Sequence, residues 1–318
     1  SILGENLIGL QAGNEPDFYG TFGKRPANYT QFDYFGDIGQ LVNQMGNDPL
    51  VLNRTMLLAP SVATGPWTPE QVWDTGFLNS YAQYMSWLAV EHYPIDNCFA
   101  QFHTGIYHDP QQQLYNYLMH NYTTSLIAPY LNSTNIAQQA NKPFSCLKPT
   151  SRLVVVSVLA YSNFSMALFH VGGQNVFYNP FTSPPSNQSS YHQWTIGPIY
   201  YSALAMAETI SNGSQVLDIT NSSNLNNNAP AYVIYENGHP VRLALFNMVS
   251  DPSGASDIQF TFSIGGSNVN QNNATPAQVK VKYLLASVVT QKGNFTWAGL
   301  ASLILLTSIN IFPTIAYL

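Results

Sequence analysis

Asn14-Glu15-Pro16 is the sequence feature with the clearest chemical meaning, because it places a carboxylate directly after an apolar run. Residues 7–13 have the composition of a buried parallel strand, and the run ends in a glutamate between an amide and a proline. Reacting groups of (β/α)8 barrels lie at the carboxyl ends of strands. Glycoside hydrolysis usually needs two carboxyl groups, one of which protonates the leaving oxygen. Glu15 is therefore a candidate proton donor, and the alternative is a loop glutamate that caps the next helix.

Composition excludes some partner classes and favours others. The chain has 318 residues, of which 45% are hydrophobic, 13% aromatic and only 8% charged. A net charge of −6 and ten scattered basic residues argue against nucleic acid as a partner, since phosphate binding needs clustered Lys and Arg. Twenty tyrosines and five tryptophans suit a protein that stacks on sugar rings. A β-rich secreted protein without a ligand has a similar composition.

Glycosylation sequons give the strongest indication of the cellular compartment. Ten Asn-x-Ser/Thr sequons, none with a central proline, favour a secreted, N-glycosylated protein. No signal peptide opens the chain and it does not begin with Met, so we expect a processed or truncated product. The sequons begin at Asn28, Asn53, Asn121, Asn132, Asn163, Asn187, Asn212, Asn221, Asn273 and Asn294.

Strand and helix patterns alternate up to about residue 209, which predicts βα units and a parallel sheet. A helix is expected to begin at Thr68-Pro69, with proline in its first turn. The predicted strands are residues 7–12, 57–60, 89–93 and 166–171. The predicted helices are residues 29–46, 76–88, 115–126, 135–140 and 199–210.

The second part of the chain has a different pattern. An Asn-Gly turn at residues 236–239 separates two apolar runs and predicts a hairpin. Period-two alternation at residues 257–263 and 279–287 favours an antiparallel sandwich. We therefore predict an α/β plus all-β chain. Its parts are a partial (β/α)8 barrel over 1–210, a linker over 211–228, a β-sandwich over 229–298 and an apolar tail over 299–318.

The uncharged tail, residues 299–318, is long and apolar enough to span a membrane. Asn310 and Pro313 weaken that interpretation, and no basic residue closely flanks the segment. We expect core strands or a mistranslated end, with a membrane span as the alternative.

Five motifs together resemble fungal members of glycoside hydrolase family 79, which includes β-glucuronidases and relatives of heparanase. The resemblance extends over nearly all of residues 1–298. It implies a (β/α)8 barrel followed by a β-sandwich, a retaining mechanism, β-linked glucuronic acid as substrate, and no metal or organic cofactor. The motifs are Leu-Gln-Ala-Gly-Asn-Glu-Pro-Asp at 10–17, Tyr-Phe-Gly-Asp at 34–37, Val-Glu-His-Tyr-Pro at 90–94, Asp-Asn-Cys at 96–98 and Leu-Phe-His-Val-Gly-Gly-Gln-Asn at 168–175.

The resemblance also assigns roles to particular residues. It implies that Glu15 is the acid/base and that Asn14 binds the sugar 2-hydroxyl, a contact that strengthens in the transition state. Tyr93 matches a tyrosine on the rim of the active site. Ordinary aromatic packing is the alternative role for Tyr93.

A second region of the resemblance concerns the glucuronate carboxylate. Gly172, Gly173 and Tyr178 fall where the family's backbone amides and a tyrosine hydroxyl hold this group. Relatives usually have Tyr where this chain has Phe177, so the sequence departs from the pattern here. Tyr178 could also be a packing residue.

Two larger departures predict an impaired protein. Three barrel strands precede the Asn-Glu-Pro strand in the family, whereas this strand almost opens the present sequence. The chain therefore reads as a fragment, since a complete barrel takes about 250 residues.

In addition, the family's Lys-Pro-Phe continues into Leu-Met-Phe-Glu-Thr-Asn, whose Glu is the nucleophile. Here Lys-Pro-Phe at 142–144 continues into a different sequence at 145–155.

A frame slip at Ser145, recovered before Tyr161, would explain the missing nucleophile. With suitable synonymous codons, residues 146–155 read one base earlier become Met-Phe-Glu-Thr-Asn-Val-Ala-Ser-Cys-Gly, which is the family's nucleophile strand. On residue type alone, 153–159 would be a strand. We expect the chain as given to have little or no activity.

No other carboxylate is a good replacement for the nucleophile. Glu91 lies beside Tyr93 near a strand end, but the resemblance implies a structural role for it. Glu70 is expected in the first turn of a helix, where the helix dipole explains its presence. Glu208 is predicted on a helix and Glu236 in a hairpin.

The remaining titratable groups have simpler interpretations. His92 and His170 lack metal-ligand spacing and are expected to be core histidines, and Asp17 a helix-entry residue. Cys98 and Cys146 are compatible with one disulfide. If the frame has slipped, Cys146 is accidental and Cys98 lacks its family partner.

The function predicted from sequence is a retaining glycoside hydrolase acting on β-linked glucuronic acid, impaired as written. One alternative is a non-catalytic carbohydrate-binding secreted glycoprotein. A membrane-tethered structural glycoprotein that uses residues 299–318 is the other.

Overall fold

The computed structural model divides the chain into two compact units. The first comprises Ser1–Gly105, Leu126–Thr150 and Ser162–Phe169, and the second comprises Ile106–Ser125, Ser151–Tyr161 and His170–Leu318. The residues described are 7–94, 99, 103, 105–148, 153–172, 179–182, 194–220, 227–251, 253, 255–267, 270–289 and 291–301.

The first unit is built on a five-stranded parallel sheet whose spatial order equals its sequence order. The sheet is a curled half-barrel, so the prediction of a partial (β/α)8 barrel is confirmed. Its strands are β1 (Leu10–Gln11), β2 (Leu57–Val62), β3 (Met85–Glu91), β4 (Phe144–Leu147) and β5 (Met166–Leu168).

Helices fill most of the connections between strands. Thr30 and Thr68 each begin a helix with a capping box, in which the threonine hydroxyl and a side chain three residues later satisfy free backbone N–H groups. The helices of the chain are α1 (Gln31–Asn47), α2 (Pro69–Trp73), α3 (Phe77–Tyr81), α4 (Pro110–Tyr117), α5 (His120–Ile127), α6 (Leu131–Gln139), α7 (Leu153–Tyr161) and α8 (Pro198–Thr209). Short 3-10 helices are formed by Pro16–Phe18, Ala82–Tyr84 and Ala128–Tyr130.

The core of the first unit lies on the central strands. Every residue of β2 and β4 is buried, as expected for strands covered on both faces. Tyr34 of α1 is also buried, and its hydroxyl donates to the carbonyl of Ala12 at 2.8 Å and contacts that of Pro60 at 3.3 Å. This contact fixes the segment that follows β1 against the end of β2.

The apolar segment 153–159 is a helix, so the strand expected from its residue types is wrong. Leu153–Tyr161 forms α7, which buries Val154, Val155, Val158 and Leu159. The reason lies in the connection that this segment makes. Parallel strands β4 and β5 need a crossover between them, and a helix is the usual solution. Topology therefore overrides the β preference of three consecutive valines.

Antiparallel sheets form the second unit. Gln215–Asp218 (β8), Ala231–Glu236 (β9) and His239–Leu245 (β10) make one three-stranded sheet, and Asn237-Gly238 connects β9 to β10 with positive φ at both positions. This confirms the predicted hairpin. The remaining strands are β6 (Phe181–Thr182), β7 (Thr195–Ile196), β11 (Leu284–Leu285), β12 (Thr296–Trp297) and β13 (Leu300–Ala301).

Two of the predicted sandwich strands are largely missing. Residues 257–263 are in no assigned strand, and of 279–287 only Leu284–Leu285 is in one. The predicted domain limits at residues 210, 228 and 298 stay predictions.

Within the described ranges, no helix has the length and apolar character to cross a bilayer. Residues 302–318, most of the predicted tail, lie outside those ranges. No group of three or more potential metal ligands occurs among the described residues.

Candidate active site

The strand ends of the parallel sheet bring the predicted catalytic segment together with residues from two other strands. Asn14 and Glu15 follow β1, Glu91 ends β3 with Tyr93 just after it, and Lys148 follows β4. Carboxyl ends of parallel strands meet at one edge of a sheet, which is where (β/α)8 barrels carry their chemistry.

Lys148 is the centre of this cluster. Its Nζ donates to Asn14 Oδ1 at 2.9 Å and to Glu15 Oε1 at 3.0 Å, and it forms an ion pair with Glu91 Oε2. The same ammonium lies 5.5 Å from the centroid of the Tyr93 ring. Three of the residues predicted from sequence, Asn14, Glu15 and Tyr93, therefore converge on one cation.

The backbone at both key positions is left-handed. Glu15 has φ 54° and Lys148 has φ 59°. Such values are unfavourable for residues other than glycine and concentrate at functional sites, at a cost of about 1–3 kcal/mol each. The Glu15 amide donates to the carbonyl of Ser61 at 3.1 Å, which ties the strained turn to the end of β2.

Glu91 is the buried member of the cluster. It has no solvent exposure, and Gln11 Nε2 donates to its Oε1 at 2.5 Å. Burial raises the pKa of Glu91 to about 7, because desolvation and the nearby Glu15 together outweigh the favourable effect of Lys148. Burial alone would lower the pKa of Lys148, but the two carboxylates outweigh it and raise that pKa, so this lysine is an ammonium.

His92 directly follows β3 and, unlike Lys148, it is neutral. Its Nδ1 is 2.9 Å from the Tyr130 hydroxyl, which in turn is 2.7 Å from Thr64 Oγ1. Burial lowers the pKa of His92 to about 4. Its Nε2 is buried without a hydrogen-bond partner among the described residues, so the predicted core histidine is only half satisfied.

Asp17 joins the segment after β1 to the segment after β2. Its two carboxylate oxygens accept from the backbone amides of Ala63 at 3.0 Å and Gly65 at 2.9 Å, and the side chain is buried. Phe18 packs so closely on Gly65 that a Cβ there would overlap the ring. Asp17 lies in the 3-10 helix after Glu15, as its predicted helix-entry position required, and it also clamps two loops together.

The roles of the other predicted residues stay predictions. Gly172 belongs to the second unit, where its amide donates to Asn179 Oδ1 at 2.9 Å. Gly173 and Tyr178 lie outside the described residues, as does Cys98. Cys146 is a free thiol in β4, and burial raises its pKa to about 12.

Comparison with known families supplies the decisive observation. Residues 231–302 match the family model described as the glycosyl hydrolase family 79 C-terminal beta domain. This part of the chain is similar to the family 79 β domain. This match, in a part of the chain remote from Asn14-Glu15-Pro16, confirms the resemblance to family 79.

A solved structure shares the fold. The crystal structure of a 4-O-α-L-rhamnosyl-β-D-glucuronidase from Fusarium oxysporum, in complex with Rha-GlcA, superposes with a TM-score of 0.60 and 16% sequence identity. The match covers 92% of this chain and 61% of that protein, so this chain spans less than two thirds of the length of that relative. No curated protein sequence matches the chain.

Sequence reasoning did not foresee the contacts of Lys148. The signal was present, because the third codon of the alternative frame, Glu, falls at position 148. The family pattern has a carboxylate at this position, and Lys148 stands there in this chain. In the structure that side chain is a cation at hydrogen-bonding distance from the proposed acid/base.

Proposed function

We propose that this family 79 chain is a retaining glycoside hydrolase for β-linked glucuronic acid that has lost its nucleophile. The observation that carries the proposal is the contact between Lys148 Nζ and Glu15 Oε1 at 3.0 Å. It supports Glu15 as the acid/base, since position 148 is where the alternative frame encodes the nucleophile. It also supports impairment, because the group there is an ammonium.

In an intact enzyme of this type, the acid/base protonates the glycosidic oxygen while a second carboxylate about 5 Å away attacks the anomeric carbon. Water then hydrolyses the glycosyl intermediate with the acid/base acting as base. Glu15 has the first role in our proposal, and Asn14 binds the 2-hydroxyl. A protonated lysine has no lone pair, so Lys148 cannot form the intermediate.

Lys148 also blocks the chemistry that remains. Its Nζ holds both Asn14 and Glu15, the two side chains that a sugar would need to contact. Binding of a substrate at this point requires that the ammonium move away. We therefore expect weak binding and no turnover in the chain as given.

Replacement of Lys148 by glutamate tests the proposal. The Lys148→Glu variant is expected to hydrolyse an aryl β-glucuronide at least about 100-fold faster than the original chain, because it regains a nucleophile opposite Glu15. The triple variant Cys146→Met, Leu147→Phe, Lys148→Glu restores the local family sequence and should be at least as active. Release of the aryl alcohol is the measurement.

Two controls separate catalysis from a general change of charge. Lys148→Gln removes the ammonium without adding a nucleophile and should stay inactive. Glu15→Gln combined with Lys148→Glu removes the acid/base and should abolish the gain. Equal activity with and without Glu15, or family-typical turnover by the original chain, would contradict the proposal.

The second candidate function is non-catalytic carbohydrate binding by the same strand ends. The presence of Asn14 and Tyr93 beside an inert Lys148 favours it. It predicts that a glucuronide binds in a titration, that Glu15→Gln leaves the affinity unchanged, and that Lys148→Glu gives no hydrolysis. We also propose that the protein is secreted and N-glycosylated, on the basis of its ten sequons.

A further inference from the structure

The loop that follows Glu15 carries an unusual concentration of positive charge for this chain. Lys24 and Arg25 are the only adjacent basic residues among the ten in the sequence. Both are exposed to solvent. The loop itself is held in place, since the amides of Lys24 and Arg25 both donate to the carbonyl of Tyr19, at 2.9 and 3.1 Å.

Both cations lie over aromatic rings. Lys24 Nζ is 5.6 Å and Arg25 Cζ 6.0 Å from the centroid of Tyr19, and Arg25 Cζ is 5.9 Å from that of Tyr29. Tyr29 in turn stacks on the buried Trp67 at 5.9 Å. We call Tyr19, Lys24, Arg25 and Tyr29 the cation–tyrosine patch.

The patch adjoins the candidate active site. The hydroxyl of Tyr19 accepts a hydrogen bond from the backbone amide of Asn14 at 3.1 Å. One tyrosine ring therefore separates Lys24 and Arg25 from the residue beside the proposed acid/base.

The charge of the patch is only partly neutralised. Arg25 Nε contacts Asp37 Oδ2 at 3.2 Å, and the Tyr29 hydroxyl donates to the same oxygen at 2.7 Å. Lys24 has no acidic partner among the described residues. A net positive group therefore stands beside the site in a chain whose overall charge is −6.

We propose that the cation–tyrosine patch is a subsite for an acidic sugar, next to the unit whose linkage Glu15 serves. Guanidinium and ammonium groups recognise an anionic substituent, a carboxylate or a sulfate ester, and the two tyrosine rings hold these cations beside the site. The inference rests on the proposed function for the position of the first sugar. It adds that the preferred glycan carries a second negative charge on the neighbouring unit.

Calorimetric titration of the full chain with three disaccharides tests the subsite. Each has a terminal β-glucuronic acid, and the second unit is glucuronic acid, its methyl ester, or a neutral sugar with a sulfate ester. At low salt we expect the two acidic ligands to bind about ten-fold more tightly than the methyl ester. The advantage should shrink as salt is added, because the patch is exposed.

Single substitutions connect the effect to the patch. Lys24→Gln is expected to weaken binding of the acidic disaccharides about three-fold and to leave the methyl ester unchanged. Arg54→Gln is the matched control, because Arg54 is exposed in the same unit but precedes β2, at the opposite end of the sheet. It should change neither affinity.

Arg25 needs a more conservative test because it also pairs with Asp37. Arg25→Lys keeps the charge and should retain most of the preference, whereas Arg25→Gln should lose it. A carboxylate preference over sulfate identifies a uronate as the neighbouring unit, and the reverse identifies a sulfated sugar.

Equal affinity for the acidic ligands and the methyl ester would overturn the subsite. So would a preference that survives both Lys24→Gln and Arg25→Gln. These failures leave the proposed function intact, because hydrolysis of an aryl β-glucuronide by Lys148→Glu does not involve the patch. Failure of that hydrolysis, with the acidic preference retained, would instead remove the proposed function alone.

Discussion

Desolvation affects two neighbouring residues at the end of β3, Glu91 and His92, with opposite consequences for stability. Burial raises the pKa of Glu91 to about 7 and lowers that of His92 to about 4. In both cases desolvation is the largest cause, because it disfavours the charged form of an acid and of a base alike. Each residue therefore contributes a pH-dependent term to the free energy of unfolding.

The two terms have opposite signs. His92 takes up a proton in the unfolded chain near its ordinary pKa of 6.5 but in the folded chain only near 4, so acid favours unfolding between these values. Glu91 keeps its proton up to about pH 7 in the folded chain but only up to about pH 4.5 in the unfolded chain. Its contribution to the free energy of unfolding is therefore lost as the pH rises through that range.

We expect the His92→Asn variant to lose less stability on acidification than the original chain. Between pH 6.5 and 4 the difference should reach about 3 kcal/mol, since the pKa falls from 6.5 to about 4 and one pKa unit corresponds to about 1.4 kcal/mol. Urea unfolding followed by tryptophan fluorescence at several pH values measures it. The asparagine keeps a polar group near the Tyr130 hydroxyl.

Glu91→Gln is the counterpart and should change the pH dependence in the opposite direction. This variant removes the term that makes the original chain less stable as the pH rises from 4.5 to 7. Parallel pH profiles for the original chain and both variants would contradict the assignment of these shifts to Glu91 and His92.

Single residues were predicted well where the chemistry is local and poorly where it depends on a contact. Glu15 and Asn14 were predicted from a tripeptide at the end of an apolar run, and Tyr93 from the resemblance to family 79. The alternative frame marks position 148 as the place of the nucleophile, but the distance between Lys148 and Glu15 depends on how the ends of β1 and β4 lie in space. Residue type gives no information about that distance.

At the scale of elements, the clamp made by Asp17 determines how the Glu15 turn is held. Its buried carboxylate accepts from two backbone amides of the loop after β2, at Ala63 and Gly65. The clamp and the contact of the Glu15 amide with Ser61 act together on the same turn. Loss of either should loosen the position of the proposed acid/base.

Asp17→Ala is expected to lower the free energy of unfolding by about 2 kcal/mol, because two hydrogen bonds to a charged acceptor are lost. Asp17→Asn keeps one acceptor oxygen and should cost less. Asp48→Ala is a control, since Asp48 is exposed and accepts only from the Leu50 amide. If Asp17→Ala and Asp48→Ala cost the same, the clamp does not have the importance we give it.

Elements were predictable where periodicity and topology agree. Helix α1 and the hairpin of β9 and β10 were expected within a few residues of their observed limits, since both have strong local signals: a capping threonine and an Asn-Gly turn. α7 was mispredicted because its valines favour a strand while the crossover between β4 and β5 demands a helix. Residues 257–263 alternate in polarity, yet no partner strand pairs with them in the described part of the chain.

At the scale of the whole molecule, the surface is compatible with the proposed glycosylation. All the described sequon asparagines are exposed, whereas Asn179, which is in no sequon, is buried. Asn187 and Asn221 lie outside the described residues. The exposed sequon asparagines are Asn28, Asn53, Asn121, Asn132, Asn163, Asn212, Asn273 and Asn294.

Three of these sites use only their amide oxygen in local contacts. Oδ1 of Asn53 and of Asn273 each accepts from the amide two residues later, and Oδ1 of Asn121 accepts from Asn227. A glycan attaches to the nitrogen, so these contacts and the modification can coexist.

The chain secreted from a eukaryotic host is therefore expected to lose mass when treated with an enzyme that removes N-linked glycans. Intact-mass spectrometry before and after treatment is the measurement. The same chain produced in the bacterial cytoplasm is the control and should show no change. Identical masses for the treated and untreated secreted protein would contradict the proposal of N-glycosylation.

The parallel sheet of the first unit has two edge strands, β1 and β5, in the described part of the chain. Within the described residues β1 pairs only with β2, and β5 only with β4. Apolar side chains are exposed along both, including Ile8, Leu10 and Leu168. Edge strands with unpaired backbone amides and exposed apolar side chains act as templates for β-augmentation. Concentrated preparations should consequently self-associate, and a peptide that adds a strand to either side should suppress this.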